Sequence, residues 1–163
     1  MNVGRGLSYD QGPPFGAPLR LLLLAPAFLL ATALAALALG DAWLASRWSP
    51  ATLALTHLLT LGYLGASMAG AWLQMLPVVA GAPVPGARTI AGMTLFGLVL
   101  GVPLLAGGLL LGEPGLMAGG GAALAVAWLP FVAGTLMALV GAKSLPRVVW
   151  PMRKAWLAMS ITL

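Results

Sequence analysis

The chain contains a single histidine, His57, and this is the side chain best suited to bind a cofactor. It lies in the apolar stretch 50–86, which is long enough to cross a bilayer. A neutral imidazole in hydrocarbon needs either a hydrogen-bond partner or a metal, so two interpretations compete. His57 is an axial ligand of a haem iron, for which imidazole is a standard donor, or it lies near the membrane surface and bonds a backbone carbonyl or a water molecule.

The rest of the chain offers little other chemistry. No carboxylate lies inside an apolar segment, so a proton relay through Asp or Glu is not expected. Because the chain has no cysteine, disulfides, iron–sulfur clusters and thiolate metal sites are excluded. Methionine in apolar helices is usually a packing residue, and this applies to Met68, Met75, Met93, Met117 and Met137. No complete catalytic site is therefore predicted, and whether the chain belongs to an enzyme stays open.

Composition indicates that His57 belongs to a membrane protein. The chain has 163 residues, of which 61% are hydrophobic and 7% charged, whereas soluble domains carry about 25% charged residues. Several apolar runs approach the roughly 20 residues that a helix needs to span a bilayer, and the alternation typical of a β-barrel is missing. The predicted fold class is an all-α polytopic membrane helix bundle with four full spans and an incomplete fifth.

Proline, glycine and charged residues mark the ends of the spans. A polar tail over 1–18 is expected to be cytoplasmic and disordered, and 19–163 to form the bundle. The predicted spans are 19–39, 50–80, 89–111 and 116–142, followed by a basic loop over Lys143–Lys154 and a fifth apolar segment over 155–163. At about 1.5 Å per residue this last segment is too short to cross, which favours a fragment of a longer protein.

Basic residues are distributed unequally between the two sides of the predicted bundle. One side carries Arg5, Arg20, Arg88, Lys143, Arg147, Arg153 and Lys154, and the other carries Arg47 alone. This bias explains the net charge of +5 without nucleic-acid binding, and it predicts a cytoplasmic N-terminus. The abundance of Ala, Gly, Leu and Pro suggests a bacterial gene, hence the bacterial inner membrane. His57 would then lie roughly 10 Å below the outer end of the second helix.

Small residues recur at four-residue spacing, which lets helix backbones approach closely. They are Gly62, Ala66 and Gly70 on the second helix, and Gly97 and Gly101 on the third. At 3.6 residues per turn, Gly62 lies about 140° around the helix from His57, so the two should face different neighbours. Four residues are expected to share the face of His57 and to form an apolar wall for a porphyrin: Thr60, Leu61, Leu64 and Met68.

The second helix resembles the second transmembrane helix of haem–copper oxidase subunit I. In that family the helix starts at the outer face with a histidine that ligates the low-spin haem, and it ends with Gly, six residues, Pro, three residues and Gly. Gly70, Pro77 and Gly81 match that spacing, and we expect them to serve helix packing. The resemblance implies an oxidase-like protein of the electron-transfer type that binds haem b through His57.

The resemblance also implies what this chain would need from elsewhere. The family's copper ligands and second haem histidine lie on later helices, so no copper site is expected here. Besides membrane lipid, the implied partner is another membrane subunit or missing C-terminal helices. Two alternatives remain: a non-enzymatic membrane scaffold or assembly partner that packs through its Gly-rich faces, and, less favoured, a small transporter. The transporter is less favoured because the sequence shows neither a pair of opposite charges inside a membrane span nor two similar halves.

Overall fold

The computed structural model describes residues 15–142 and 146–162, and the regular structure of these residues is helical throughout. Five helices follow one another: α1 Gly16–Leu39, α2 Pro50–Ala80, α3 Ala87–Leu111, α4 Pro114–Val140 and α5 Pro146–Thr162. The first four are long and apolar enough to cross a membrane. The predicted all-α membrane helix bundle with four spans is therefore confirmed.

Local signals in the sequence explain most helix ends. Ser49 caps α2 by accepting a hydrogen bond from the Thr52 backbone N–H at 3.2 Å, and Pro50 follows at the first helical position, as predicted. Gly81 ends α2 in the left-handed conformation with φ +58°, which glycine adopts without a steric penalty. Helix α4 begins at Pro114 rather than at 116, because proline is favourable at the first position of a helix.

The end of the described chain differs from the prediction. The expected basic loop over Lys143–Lys154 is helical from Pro146 onwards, and the expected fifth segment is the second half of that helix, α5. Residues spaced by three or four positions are buried or half-buried along one side of α5, namely Val149, Met152, Trp156 and Met159. Because Arg147 and Lys154 lie on the other side, the segment is an amphipathic helix, which a search for continuous apolar runs overlooks.

Two polar contacts join α5 to α4. The indole N–H of Trp156 donates to Thr135 Oγ1 at 3.0 Å, and Arg153 Nη2 donates to the Leu139 carbonyl oxygen at 3.1 Å. Leu139 lies in the last turn of α4, where carbonyls have no partner within the helix, so the guanidinium completes the helix end.

The tightest packing in the bundle joins α3 to α4, which form a helical hairpin. Glycines on both helices allow the contact: Gly97 lies against Ala127, and Gly101 and Gly120 lie against each other's helix backbone. Helix α1 packs along the opposite side of α2 through Leu21, Ala25 and Phe28, which are buried. The four helices thereby enclose a continuous apolar core.

Candidate functional site

His57 lies two turns into α2 and is half-buried. Its Nδ1–H donates a hydrogen bond to the backbone carbonyl oxygen of Leu53, one turn earlier, at 2.7 Å. A carbonyl oxygen can only accept, so Nδ1 carries the hydrogen and the lone pair of the ring is on Nε2. The contact with a backbone carbonyl is the one expected of a structural histidine. It is equally the contact that orients a metal-ligating imidazole, since such residues donate their second N–H to a carbonyl or carboxylate.

A seven-residue π-helix, Leu58–Leu64, begins directly after His57 and interrupts α2. π-Helical turns close by i→i+5 bonds, are rare, and occur frequently at functional sites. Hydroxyl groups around this segment compete for backbone carbonyls: Thr56 Oγ1 donates to the Thr52 carbonyl at 2.8 Å and Thr60 Oγ1 to the Thr56 carbonyl at 2.7 Å. Such back-bonding weakens the regular i→i+4 ladder and bends helices, which gives a local cause for the wider turn.

His57 and this π-helix line a cavity of about 640 Å³. Its other walls come from three different helices, so it is an interhelical cavity. The lining side chains besides His57 are Thr60 and Leu61 of α2, Leu105 of α3, Gly121, Leu124, Ala125, Trp128, Leu129 and Val132 of α4, and Ser160 of α5. The volume lies within the range of about 300–1,000 Å³ that is usual for cofactor and small-molecule sites.

Trp128 forms part of the cavity wall and carries an unsatisfied polar group. Its side chain is buried and meets Phe131 edge to face, with ring centroids 5.4 Å apart. Gly65 makes room for the indole, because a Cβ at this position would lie 3.2 Å from Trp128 Cζ2. Among the described residues, the buried Nε1–H has no hydrogen-bond acceptor. An orphaned donor of this kind costs about 1–3 kcal/mol, and an acceptor on a bound molecule would remove that cost.

The expected apolar wall beside His57 is present only in part. Thr60 and Leu61 line the cavity with His57, as predicted. Leu64 does not line it, and Met68 lines a separate cavity of about 360 Å³ between α2 and α5. The prediction assumed 3.6 residues per turn throughout, whereas the π-helix has more residues per turn and changes the faces on which later residues lie.

The small residues predicted for packing contact other helices of this same chain. A Cβ on Gly62 would lie 2.6 Å from the Phe28 ring, and one on Gly70 would lie 2.7 Å from Leu22, both on α1. Between these glycines, Ala66 is fully buried. Gly97 and Gly101 contact α4, as described above. The glycine-bearing faces of α2 and α3 are therefore already covered by other helices of this same chain. Pro77 is buried within α2, and Gly81 terminates that helix.

Sequence reasoning missed the walls that α4 and α5 contribute. Trp128 has no sequence feature that separates it from an ordinary membrane tryptophan, and Ser160 lies in the segment expected to be incomplete. Within the described part of the chain, no three His, Cys, Asp or Glu residues lie together as a metal site would require. The candidate site is therefore one imidazole, one indole N–H and two hydroxyl-bearing residues in an apolar cavity.

Comparison with known proteins adds no family. The chain matches no family model, no curated protein and no solved structure. The four apolar helices make it an integral membrane protein on their own evidence, and its function rests on the geometry of the site.

Proposed function

We propose that this protein binds haem b in the cavity beside His57 and serves electron transfer in a bacterial inner membrane, with His57 Nε2 as an axial ligand of the iron. The proposal rests on one observation above all. His57 lines a cavity of cofactor size while its Nδ1–H is held by the Leu53 carbonyl oxygen at 2.7 Å. That hydrogen bond leaves Nε2 as the only ring nitrogen able to donate electrons to a metal, and it also fixes the plane of the ring.

The remaining walls suit a porphyrin. Leu61, Leu124 and Val132 present aliphatic surface, against which a flat apolar ring buries area favourably. The two hydroxyl-bearing side chains, Thr60 and Ser160, donate to backbone carbonyls and keep lone pairs free as acceptors. Trp128 supplies a buried N–H donor without an acceptor of its own. Among the described lining residues, His57 is therefore the strongest ligand that the cavity offers to a metal.

A bound haem supplies one-electron redox chemistry, and the polarity and donors around it set how readily that occurs. In this chain the residues bind and orient the group and do no proton chemistry, because no carboxylate lines the described cavity. Among the lining side chains His57 is the only standard axial ligand. The isolated chain should therefore hold haem with one axial position open to an exogenous ligand, or to a residue of another chain.

Purified protein reconstituted with haem tests this function. The wild type should acquire a Soret absorption band at one haem per chain, and added imidazole should change that band by filling the open axial position. The variant H57A should lose the band. L64A provides a matched control, because it removes an exposed side chain of the same helix that does not line the cavity and leaves the imidazole in place. A colourless wild-type protein, or an H57A protein with the same haem content, would refute the proposal.

The proposed orientation has the N-terminus in the cytoplasm, on the strength of the basic residues at that side of the bundle. The described structure is compatible with this arrangement, since Arg20 and Arg88 lie at the same end as the start of α1, whereas Arg47 lies in the loop at the other end. The cavity would then open in the outer half of the membrane.

A further inference from the structure

A third cavity, far from His57, is lined by two arginines. Arg20 lies in the second turn of α1 and Arg88 in the first turn of α3, and both line a cavity of about 220 Å³ at the end of the bundle where these helices begin. The remaining walls are small: they consist of Gly16, Ala17, Ala91 and Gly92. The two guanidinium groups are therefore the main polar surface of this cavity.

The positive charge of this cavity is not neutralised within the described part of the chain. Neither Arg20 nor Arg88 has a hydrogen bond or an ion pair with any described residue. The acidic residues of that part are Asp41, just after the end of α1, and Glu113, just before the start of α4. Both lie at the opposite end of the bundle, a full helix length away. Two like charges that share one cavity repel each other unless an anion lies between them.

The backbone adds to the positive potential. The first turns of α1 and α3 both border the cavity and bring the partial positive charge of two helix N-termini to it. Neither turn contains an acidic residue, and neither N-cap residue, Phe15 or Gly86, offers a side-chain cap.

We propose that this cavity binds a phosphate group, either in the headgroup of an anionic lipid or as a free phosphate. The planar guanidinium presents paired donors that match phosphate oxygens, and two exposed arginines that line one cavity can together bind a phosphate group. Because α1 and α3 span the membrane, the cavity lies at the level of the lipid headgroups. Basic pockets between transmembrane helices at this level bind anionic headgroups.

Binding to the detergent-solubilised full chain can be measured by native mass spectrometry. The probes are phosphatidylglycerol, the zwitterionic phosphatidylcholine, and inorganic phosphate. The wild type should retain phosphatidylglycerol in preference to phosphatidylcholine. If excess inorganic phosphate leaves the bound phosphatidylglycerol in place, the ligand is a lipid headgroup. If inorganic phosphate displaces it and binds instead, the site recognises a free phosphate.

Two variants test the site in independent ways. R20Q/R88Q removes both charges and should weaken binding about tenfold or more, as expected for the loss of two charge-assisted hydrogen bonds. G92L keeps both charges and fills the cavity, since a Cβ on Gly92 meets no atom within 4 Å. It should block binding as well, whereas a diffuse attraction to basic residues would survive it.

R47Q serves as the matched control, because it removes one exposed arginine from the other end of the bundle. It should bind phosphatidylglycerol as the wild type does. The proposal is overturned if R20Q/R88Q or G92L retains wild-type binding, or if the wild type prefers neither phosphatidylglycerol nor phosphate over phosphatidylcholine. Circular dichroism of each variant shows that the helices are intact, so that a loss of binding reports on the cavity.

Discussion

The hydrogen bond between His57 and the Leu53 carbonyl decides which ring nitrogen is available. Its N···O distance of 2.7 Å is that of a well-formed bond, and it links residues one turn apart on the same helix. The imidazole is therefore held by its own helix and does not depend on a neighbour for orientation. A side chain fixed in this way needs little rearrangement to accept a metal, and this lowers the entropic cost of binding.

Trp128 of α4 and Trp156 of α5 make a matched pair for stability measurements. Trp156 donates to Thr135 Oγ1 at 3.0 Å, whereas the buried N–H of Trp128 has no acceptor among the described residues. W156F should therefore destabilise the haem-free protein by about 0.5–1.5 kcal/mol, the usual value of a hydrogen bond. W128F removes an unpaired donor, so it loses ring packing but no hydrogen bond, and it should destabilise the protein less than W156F does. Thermal unfolding in detergent compares them, and an equal loss in both variants would contradict this account.

Local residue types explain where each helix begins and ends. The apolar composition of each helix explains why it can span a membrane. The start of α2 at Ser49-Pro50 and the predicted end of its span at Ala80 agree with the structure because capping and proline effects act over one turn. The π-helix could not be predicted in the same way. Its sequence, LLTLGYL, is unremarkable for a membrane helix, and the wider turn depends on hydroxyl contacts and on the fit against Phe28 and Trp128.

The predicted apolar wall beside His57 is present only in part for the same reason. Residue spacing predicts which side chains share a face of a helix only while the number of residues per turn is constant. The π-helix changes that number between His57 and Met68. The far wall of the cavity depends on how α4 lies against α2, which is set by tertiary packing and not by either sequence alone. The position of His57 was predictable, whereas the shape of its surroundings was not.

The packing of α3 against α4 predicts different effects on stability for two neighbouring glycines of α4. A Cβ on Gly120 would lie 2.9 Å from both the Gly101 carbonyl oxygen and Leu105 Cα of α3, whereas one on Gly119 meets nothing within 4 Å. G120A should force the helices apart and lower the free energy of unfolding by about 1–3 kcal/mol. G119A adds the same methyl group to the next residue and should be neutral or stabilising by up to about 1 kcal/mol. Unfolding in mixed micelles measures both, and indistinguishable variants would show that the hairpin is not packed as described.

The four apolar helices place the whole molecule in a membrane, and the distribution of basic residues predicts on which side of it the N-terminus lies. The chain has no cysteine, so single cysteines can report sidedness without background. A45C lies in the exposed loop between α1 and α2, and T89C lies exposed in the first turn of α3. A membrane-impermeant maleimide should label A45C in intact cells and T89C only after permeabilisation. The reverse pattern would place the N-terminus outside and the His57 cavity in the inner half of the membrane.

Ligation of haem iron by His57 can be tested by restoring the ligand chemically. In H57G the side chain is removed and a space of the size of imidazole is left beside the cavity. We expect H57G to bind haem poorly. Added imidazole should restore haem binding and give the spectrum that the wild type shows at the same imidazole concentration, because free imidazole then supplies the missing nitrogen. N-methylpyrrole, which has a similar shape but no basic nitrogen, should not restore it. Full haem binding by H57G without imidazole would contradict the account.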